Sequence, residues 1–428
     1  MNALDGIKIL DLSRVLAGPW CTQTLADLGA DVIKIERPMQ GGVGGDDTRT
    51  WGPPFLQDAQ GNDTSEAAYY LGTNRNKRSV ACDIATPQGQ QTVRDLVLQC
   101  DVFVENFKVG DMARYGLDFA SLQQLKPSLV YCSITGFGQT GPYKDRAGYD
   151  YAVQGMGGLM SVTGERDDLV DASTGQRVAG GPQKVGVAVA DLFTGMYACT
   201  AILAALRHAE RTGQGQHIDM ALLDTQVAML ANLGANYLVS GAKTGTVPGR
   251  AGNAHQNIVP YQVFETAPAA SQAAPPAAPP NGSTKAEKDH FILAVGNDGQ
   301  FAKMCQVAGC AHLAADPRFA KNQGRVRHRA TLVPLLEAIF KTRTKHDWLA
   351  ALEAAKVPCG AINNLAEVFA DPQVLARGMV HTWQHPLGGA VQLVASPIKM
   401  SLTPVRTDLP PPTLGQHTRE VLDSIVRS

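Results

Sequence analysis

Two apolar strands separated by one helix, all within the first 37 residues, constrain this chain more than any other feature. IKILDLS at 7–13 and DVIKIER at 31–37 are β-rich, and AGPWCTQTLADLGA between them has helical periodicity ending in Gly29. Strand, crossover helix and strand in so few residues imply a parallel βαβ unit with a right-handed connection. The alternation continues through RSVACDI at 78–84, the helix QGQQTVRDLVLQC at 88–100, DVFVENF at 101–107 and LVYCSITGFG at 129–138. A doubly wound α/β domain is the expected fold.

After this half the texture changes. A long helix over about 191–211 is followed by the turn RTGQGQ, the short strand HIDMALL and another helix, DTQVAMLANLGANYLVSG. The Ala/Pro-rich stretch APAASQAAPPAAPPNGSTKAEK at 267–288 cannot form a packed element and reads as an exposed insertion. DHFILAVG at 289–296 resumes as a strand, and helices near 298–308, 330–340 and 346–355 suggest a smaller α+β unit around it. The segment from Gly378 to Met400 is strand-like, and LGQHTREVLDSI at 414–425 is a final helix. At roughly 150 residues per domain, 428 residues correspond to two or three domains.

Charge narrows the function. With 38 Lys and Arg against 39 Asp and Glu, the chain lacks the basic excess that binding many phosphates of a nucleic acid requires. A small polyanion stays open. The N-terminus has no basic segment leading into an apolar core, and no uninterrupted apolar run approaches the ~20 residues of a membrane span. A cytoplasmic protein without a membrane partner is expected. The eight cysteines include no CxxC pair, so they read as reduced thiols, with no metal site.

A dinucleotide site is unsupported. Glu36 ends the second strand where an acidic residue would meet a ribose, but the first turn, SRVLAGP, lacks the GxGxxG that admits a pyrophosphate. The most informative position is Asp191, a carboxylate at the start of a helix that is otherwise almost wholly apolar or small. It reads either as a helix-terminal charge that complements the dipole or as an ionised, desolvated nucleophile for an acyl carbon.

Several long segments then point to a family. LDGIKILDLSRVLAGPWCTQTLADLGADVIKIERP, the NKRS at 76–79, DVFVENFKVGDMARYGLD, SITGFGQTGPYKDRAGYDYAVQGMGGLMSVTG, ADLFTGMYACTAILAAL and RTGQGQHIDMALLD together resemble the family III CoA-transferases. The resemblance implies a Rossmann-like large domain over 1–225, a small α+β domain over 235–365 carrying the insertion 267–288, and a segment 375–428 returning to the large domain. It also implies a homodimer of two interlocked, ring-shaped subunits. CoA and acyl-CoA would be substrates, joined by a carboxylic acid, with no permanently bound cofactor. In the family the aspartate matching Asp191 forms an acyl anhydride and then an aspartyl-CoA thioester.

By the same resemblance, CoA would lie along Val15, Leu16, Arg37, Cys82, Asp83, Ala85, Asn106, Phe107, Lys108, Arg114, Arg146 and Tyr149. Arg37 and Arg114 suit bidentate phosphate binding and Lys108 a point charge, though each also reads as a solvated surface cation. The run Asn74 to Arg78 would add positive potential nearby. Tyr149 and Asp150 would shape the acyl pocket or simply form a strand-to-helix junction, and His255 would meet the acyl carboxylate or serve its own loop. Formyl-CoA transferases carry Gln in place of Leu16, lysines in place of Ala85 and Ala147, and a glycine quartet missing from GRAGNAHQNIVPYQVF, so formyl or oxalyl chemistry is disfavoured. A 2-methylacyl-CoA racemase or epimerase would place a histidine at Tyr149, and a phenol of ordinary pKa near 10 is a poor base for an α-proton. That racemase and a non-catalytic acyl-CoA-binding protein are the alternatives to a transferase, with dicarboxylates of the succinate and glutarate type as the favoured acids.

Overall fold

Six parallel strands form the main sheet: β1 (Lys8–Asp11), β2 (Asp31–Glu36), β3 (Lys77–Ala81), β4 (Val102–Glu105), β5 (Val130–Thr135) and β6 (His217–Ala221). Their order is β3-β2-β1-β4-β5-β6. The computed structural model describes residues 1–426 except 167–169, 171–173, 177–179 and 269–288, so most of the Ala/Pro-rich stretch lies outside the described residues. The helices that position the site are α1 (Ala17–Asp27), α2 (Pro87–Gln99), α3 (Asp150–Met156), α4 (Val189–Thr212) and α5 (Leu222–Ala228).

The strands are nearly continuous apolar runs because both faces of the sheet are covered. Side chains alternate along a strand. Ile9, Val32, Val104 and Cys132 face one way, under α1 and α4. Leu10, Ile33, Phe103 and Tyr131 face the other, under α2. Each fully buried side chain of this size contributes about 1.5–3 kcal/mol. The parallel, two-faced sheet agrees with the α/β expectation.

Helix α4 begins at Val189, two residues before the expected start, and ends at Gly213 in the left-handed region, φ 72°. By length and composition it could cross a membrane. Here its apolar content has a packing role, since Ala190, Ala198, Ile202 and Ala205 are buried with residues of α1 and the sheet. Gly195 permits the closest approach: a Cβ there would stand 2.6 Å from the Ala17 carbonyl oxygen. The single helix expected after β6 is instead broken into Leu222–Ala228 and Ala231–Asn236, with Ala231 at φ 44°.

The C-terminal segment closes the β3 edge. Ser79 O accepts from His417 N at 2.9 Å, and Thr418 Oγ1 accepts from Ala81 N at 2.9 Å. Arg49, buried, reaches Glu36, Glu66 and Tyr70 and donates to the Pro412 carbonyl at 3.0 Å. Covering an edge in this way removes a row of unpaired backbone groups.

The chain divides into two compact units. The first holds Met1–Met160, Lys184–Pro248 and Asp371–Ser428, and the second holds Ser161–Gln183 and Gly249–Ala370. The second unit is built on a three-stranded antiparallel sheet of Tyr261–Glu265, His290–Ala294 and Cys359–Ala361. Helices Asp298–Val307, Arg329–Phe340 and Lys345–Ala354 supply its core with Phe301, Phe340 and Trp348, and Trp348 Nε1 donates to the Phe340 carbonyl at 2.8 Å.

Candidate active site

In an open parallel sheet, ligands collect where neighbouring strands send their connections in opposite directions. Here that point lies between β1 and β4. A cleft of about 570 Å³ occupies it, lined by Val15, Leu16, Asn106, Phe107, Lys108, Arg114, Arg146, Tyr149 and Asp191. Arg37, Cys82, Asp83 and Ala85 line a smaller hollow of about 250 Å³, and Arg14 and Phe107 line both. The expected contacts therefore fall into two groups bridged by Arg14, whose guanidinium lies 5.2 Å from the Phe107 ring centroid.

The loop after β1 is held from beneath. Val15 stands at φ 72°, a conformation that β-branched residues resist. Asp46 Oδ1 accepts from Val15 N at 3.2 Å, and Asp46 Oδ2 pairs with Lys34 Nζ at 2.9 Å, both side chains fully buried. Lys34 also donates to the Ser13 carbonyl at 2.8 Å. Burial opposes the Asp46 charge, but Lys34 and Thr48 hold its carboxyl below the usual range. Asn106 clamps the same loop, accepting from Arg14 N at 2.9 Å and donating to Arg14 O at 2.7 Å.

On the opposite wall, Arg146 lies 4.6 Å over the Tyr143 ring. Gly136 and Gly148 pass so closely that a Cβ on Gly136 would stand 2.5 Å from the Gly148 Cα, so this wall requires glycine at both places. Lys144 joins the cleft from the same loop.

Asp191 sits in the first turn of α4. Burial, and then the charge of Asp150, push its carboxyl up to about 7. Among the described residues no Lys or Arg pairs with it. Tyr69, on the short helix Ala68–Leu71, has its phenol pushed up to about 12 by burial and then by the charges of Asp191 and Asp150. Asp150 does not line the cleft. Its Oδ1 accepts from Ala190 N at 2.8 Å and Asp191 N at 3.4 Å, and its Oδ2 accepts from Gln154 Nε2 at 2.6 Å.

His255 belongs to the second unit, where its Nδ1 accepts from Asn257 N at 3.0 Å and its carbonyl accepts from Arg329. The positive potential expected from Asn74 to Arg78 needs correction. Arg75 pairs with Asp27 at 2.5 Å, Lys77 with Asp11 at 3.1 Å and Arg78 with Asp31 at 2.5 Å, so these charges are neutralised internally. Glu36 is likewise a partner of Arg49, with no free carboxylate for a ribose. Cys82 is no reactive thiolate, because burial and then Asp83 push its thiol up to about 11.

The sequence reading missed Arg14, Lys144 and Tyr69. Arg14 and Lys144 share loops with Val15 and Arg146, a signal in plain view, whereas nothing near Tyr69 in the sequence ties it to the charge of Asp191.

A cleft edged with Arg and Lys, at a parallel sheet's switch point and ending at a basic, desolvated carboxylate, defines an α/β enzyme for a small polyanionic ligand. The chain matches the family model described as CoA-transferase family III over residues 4–269 and 267–418. It is 51% identical over 420 residues to the succinate–glutarate CoA-transferase of Agrobacterium fabrum, covering 98% of this chain and 94% of that one. It is 40% identical over 427 residues to the succinyl-CoA:glutarate CoA-transferase of Mus musculus, covering 100% of this chain and 87% of that one. A solved CaiB/BaiF family protein from Brucella suis aligns with a TM-score of 0.78 and 46% identity, covering 99% of this chain and 100% of that one. The chain belongs to the family III CoA-transferases, enzymes whose substrates are CoA thioesters.

Proposed function

We propose that this enzyme moves CoA between succinyl-CoA and a dicarboxylate of the glutarate type, with Asp191 as the nucleophile. The observation that carries this reading is Asp191 itself: a carboxylate at the cleft, without a cationic partner among the described residues, and basic enough to attack an acyl carbon. The names of the relatives from Agrobacterium fabrum and Mus musculus support the dicarboxylate.

Asp191 attacks the thioester carbonyl, giving a succinyl–aspartyl anhydride and the CoA thiolate. The thiolate attacks the aspartyl carbonyl, releasing succinate and leaving an aspartyl-CoA thioester. The acceptor carboxylate attacks that thioester, expelling thiolate and forming a second anhydride. The thiolate then takes the new acyl group and frees the Asp191 carboxylate. Each intermediate keeps roughly the activation of the original thioester, so the site must exclude water. Lys108, Arg114 and Arg146 serve the CoA phosphates along the cleft, and Arg37 serves them from the adjoining hollow.

The same reading includes an interlocked homodimer. Phe193, Met196 and Tyr197 on α4 and Tyr151 on α3 leave an apolar surface exposed that suits a second copy. The eight cysteines are all free thiols, in keeping with a reducing compartment such as the cytoplasm.

Incubation with succinyl-CoA and a panel of acids, followed by mass spectrometry, should yield glutaryl-CoA and succinate in equal amounts. With the aspartyl-CoA thioester, borohydride should reduce the Asp191 carboxyl to the alcohol and hydroxylamine should convert it to the hydroxamate, each releasing the CoA thiol and marking Asp191. Full transferase activity in Asp191→Asn would overturn the mechanism.

A further inference from the structure

The N-terminus of a helix ordinarily stabilises a nearby carboxylate through its free amide groups and the positive end of the dipole. Asp191 occupies that position on α4, in the first turn. The amides, however, are directed elsewhere. Ala190 N donates to Asp150 Oδ1 at 2.8 Å, and Asp191 N approaches the same oxygen at 3.4 Å. The carboxylate of Asp150 thus acts as the cap of α4 from a different element, the start of α3.

Asp150 is itself held in place. Its other oxygen accepts from Gln154 Nε2 at 2.6 Å, and Gln154 is fully buried. Gln154 Oε1 accepts from Val185 N at 2.9 Å, three residues before the Ala188 cap position of α4. Gln154 therefore fixes both Asp150 and the approach to the helix. Two aspartates at one helix terminus would divide its amides between them. This arrangement gives the amides to Asp150.

We propose that Asp150 is a positioning residue that takes up the amide groups at the N-terminus of α4, withholding their stabilisation from the Asp191 carboxylate and keeping that carboxylate nucleophilic. The inference rests on the reading of Asp191 as the nucleophile. It differs from the acyl-pocket role expected for Asp150, because both Asp150 oxygens are engaged away from the cleft. The upward shift of Asp191, caused by burial and then by Asp150, agrees with the geometry. The other ionisable groups are Tyr69, whose phenol feels the Asp191 charge, and, lining the same cleft, Arg14, Asp47, Lys108, Asp111, Arg114, Lys144, Asp145, Arg146 and Tyr149.

The test compares Asp150→Asn and Gln154→Leu with the native enzyme across a pH series, using succinyl-CoA and glutarate. Asparagine keeps an oxygen for Ala190 N but, being uncharged, accepts more weakly than a carboxylate, so part of the helix-terminal stabilisation returns to Asp191 while the fold and α4 cap survive, as circular dichroism and thermal unfolding will report. In Asp150→Asn the acidic limb of the kcat profile should move down by about one pH unit, and kcat on the plateau should fall about tenfold, with CoA affinity unchanged by calorimetry. Gln154→Leu, which frees Asp150 to turn away, should shift the limb in the same direction by a smaller amount. If the folded Asp150→Asn enzyme has a pH profile superposable on the native one, the inference fails while the nucleophile reading stands. If Asp191→Asn retains transfer, that reading fails, and this inference with it.

Discussion

The carboxylate of Asp46 accepts the amide of Val15 at 3.2 Å and holds that β-branched residue at φ 72°. A left-handed conformation costs a residue of this kind about 1–2 kcal/mol. The strain persists because Asp46 is itself fixed by Lys34 at 2.9 Å, with both side chains out of water. Asp46→Ala would leave the buried Lys34 ammonium without its ion-pair partner, a loss of about 3–5 kcal/mol. Val15→Gly removes the strain at some cost in chain entropy, so its stability should stay within about 1 kcal/mol of native. Urea unfolding of the two variants separates these outcomes, and equal midpoints for native and Asp46→Ala would contradict the account.

Protonation of Asp191 should be visible in both activity and stability. Burial and the Asp150 charge push its folded carboxyl up to about 7 from the ordinary 3.8, so kcat/KM should fall on the acid side of neutrality as the proposed nucleophile is protonated. For stability the sign follows from proton uptake. Between the unfolded and folded values the folded state holds the extra proton, so this group's contribution weakens as pH rises through that window. Asp191→Asn has no such dependence. Its thermal midpoint should therefore gain on the native enzyme between about pH 4 and about pH 7, while transfer is lost. A midpoint difference that stays constant across the series would show that Asp191 has an ordinary carboxyl.

How far the sequence could be read depended on whether a feature is local. Strands β1 and β2 and helix α1 fall within three residues of their expected limits, because period and the Gly29 stop are written in adjacent residues. The break before Ala231 carries no proline or glycine, so nothing local announces it. The hairpin Phe55–Gln57 with Asp63–Ala67 is short and largely polar, which hides it from any hydrophobic pattern. Charge is the instructive failure. Arg75, Lys77 and Arg78 count as three cations in the sequence, but their partners, Asp27, Asp11 and Asp31, lie more than 40 residues away along the chain. Asp150 was legible as a residue near the chemistry, whereas its hold on Ala190 N is a tertiary fact.

Gly195 tests how tightly the two helices at the site must pack. A Cβ there would meet the Ala17 carbonyl oxygen at 2.6 Å and the Cys21 amide nitrogen at 3.3 Å, both backbone atoms that cannot rotate away. Gly195→Ala should force α1 from α4 at a cost of about 1–3 kcal/mol. Because α1 starts at the Val15 loop and α4 carries Asp191, the displacement should also lower kcat more than it weakens CoA binding. Native kcat in this variant would mean that helix spacing is not transmitted to the reacting carboxylate.

Arg146 allows charge and stacking to be separated. Its guanidinium lies 4.6 Å over Tyr143 and 5.7 Å from the Phe137 centroid, so the side chain is ordered before any ligand arrives. Arg146→Ala should raise the KM for succinyl-CoA about tenfold, equivalent to about 1.4 kcal/mol, with kcat nearly unchanged. Arg146→Lys keeps the charge but not the planar stack, so it should recover only part of the loss. Raising ionic strength should weaken the native enzyme toward the alanine variant, since an exposed phosphate contact is screened. A fall in kcat at constant KM would instead assign Arg146 to the reacting atoms rather than to the phosphates.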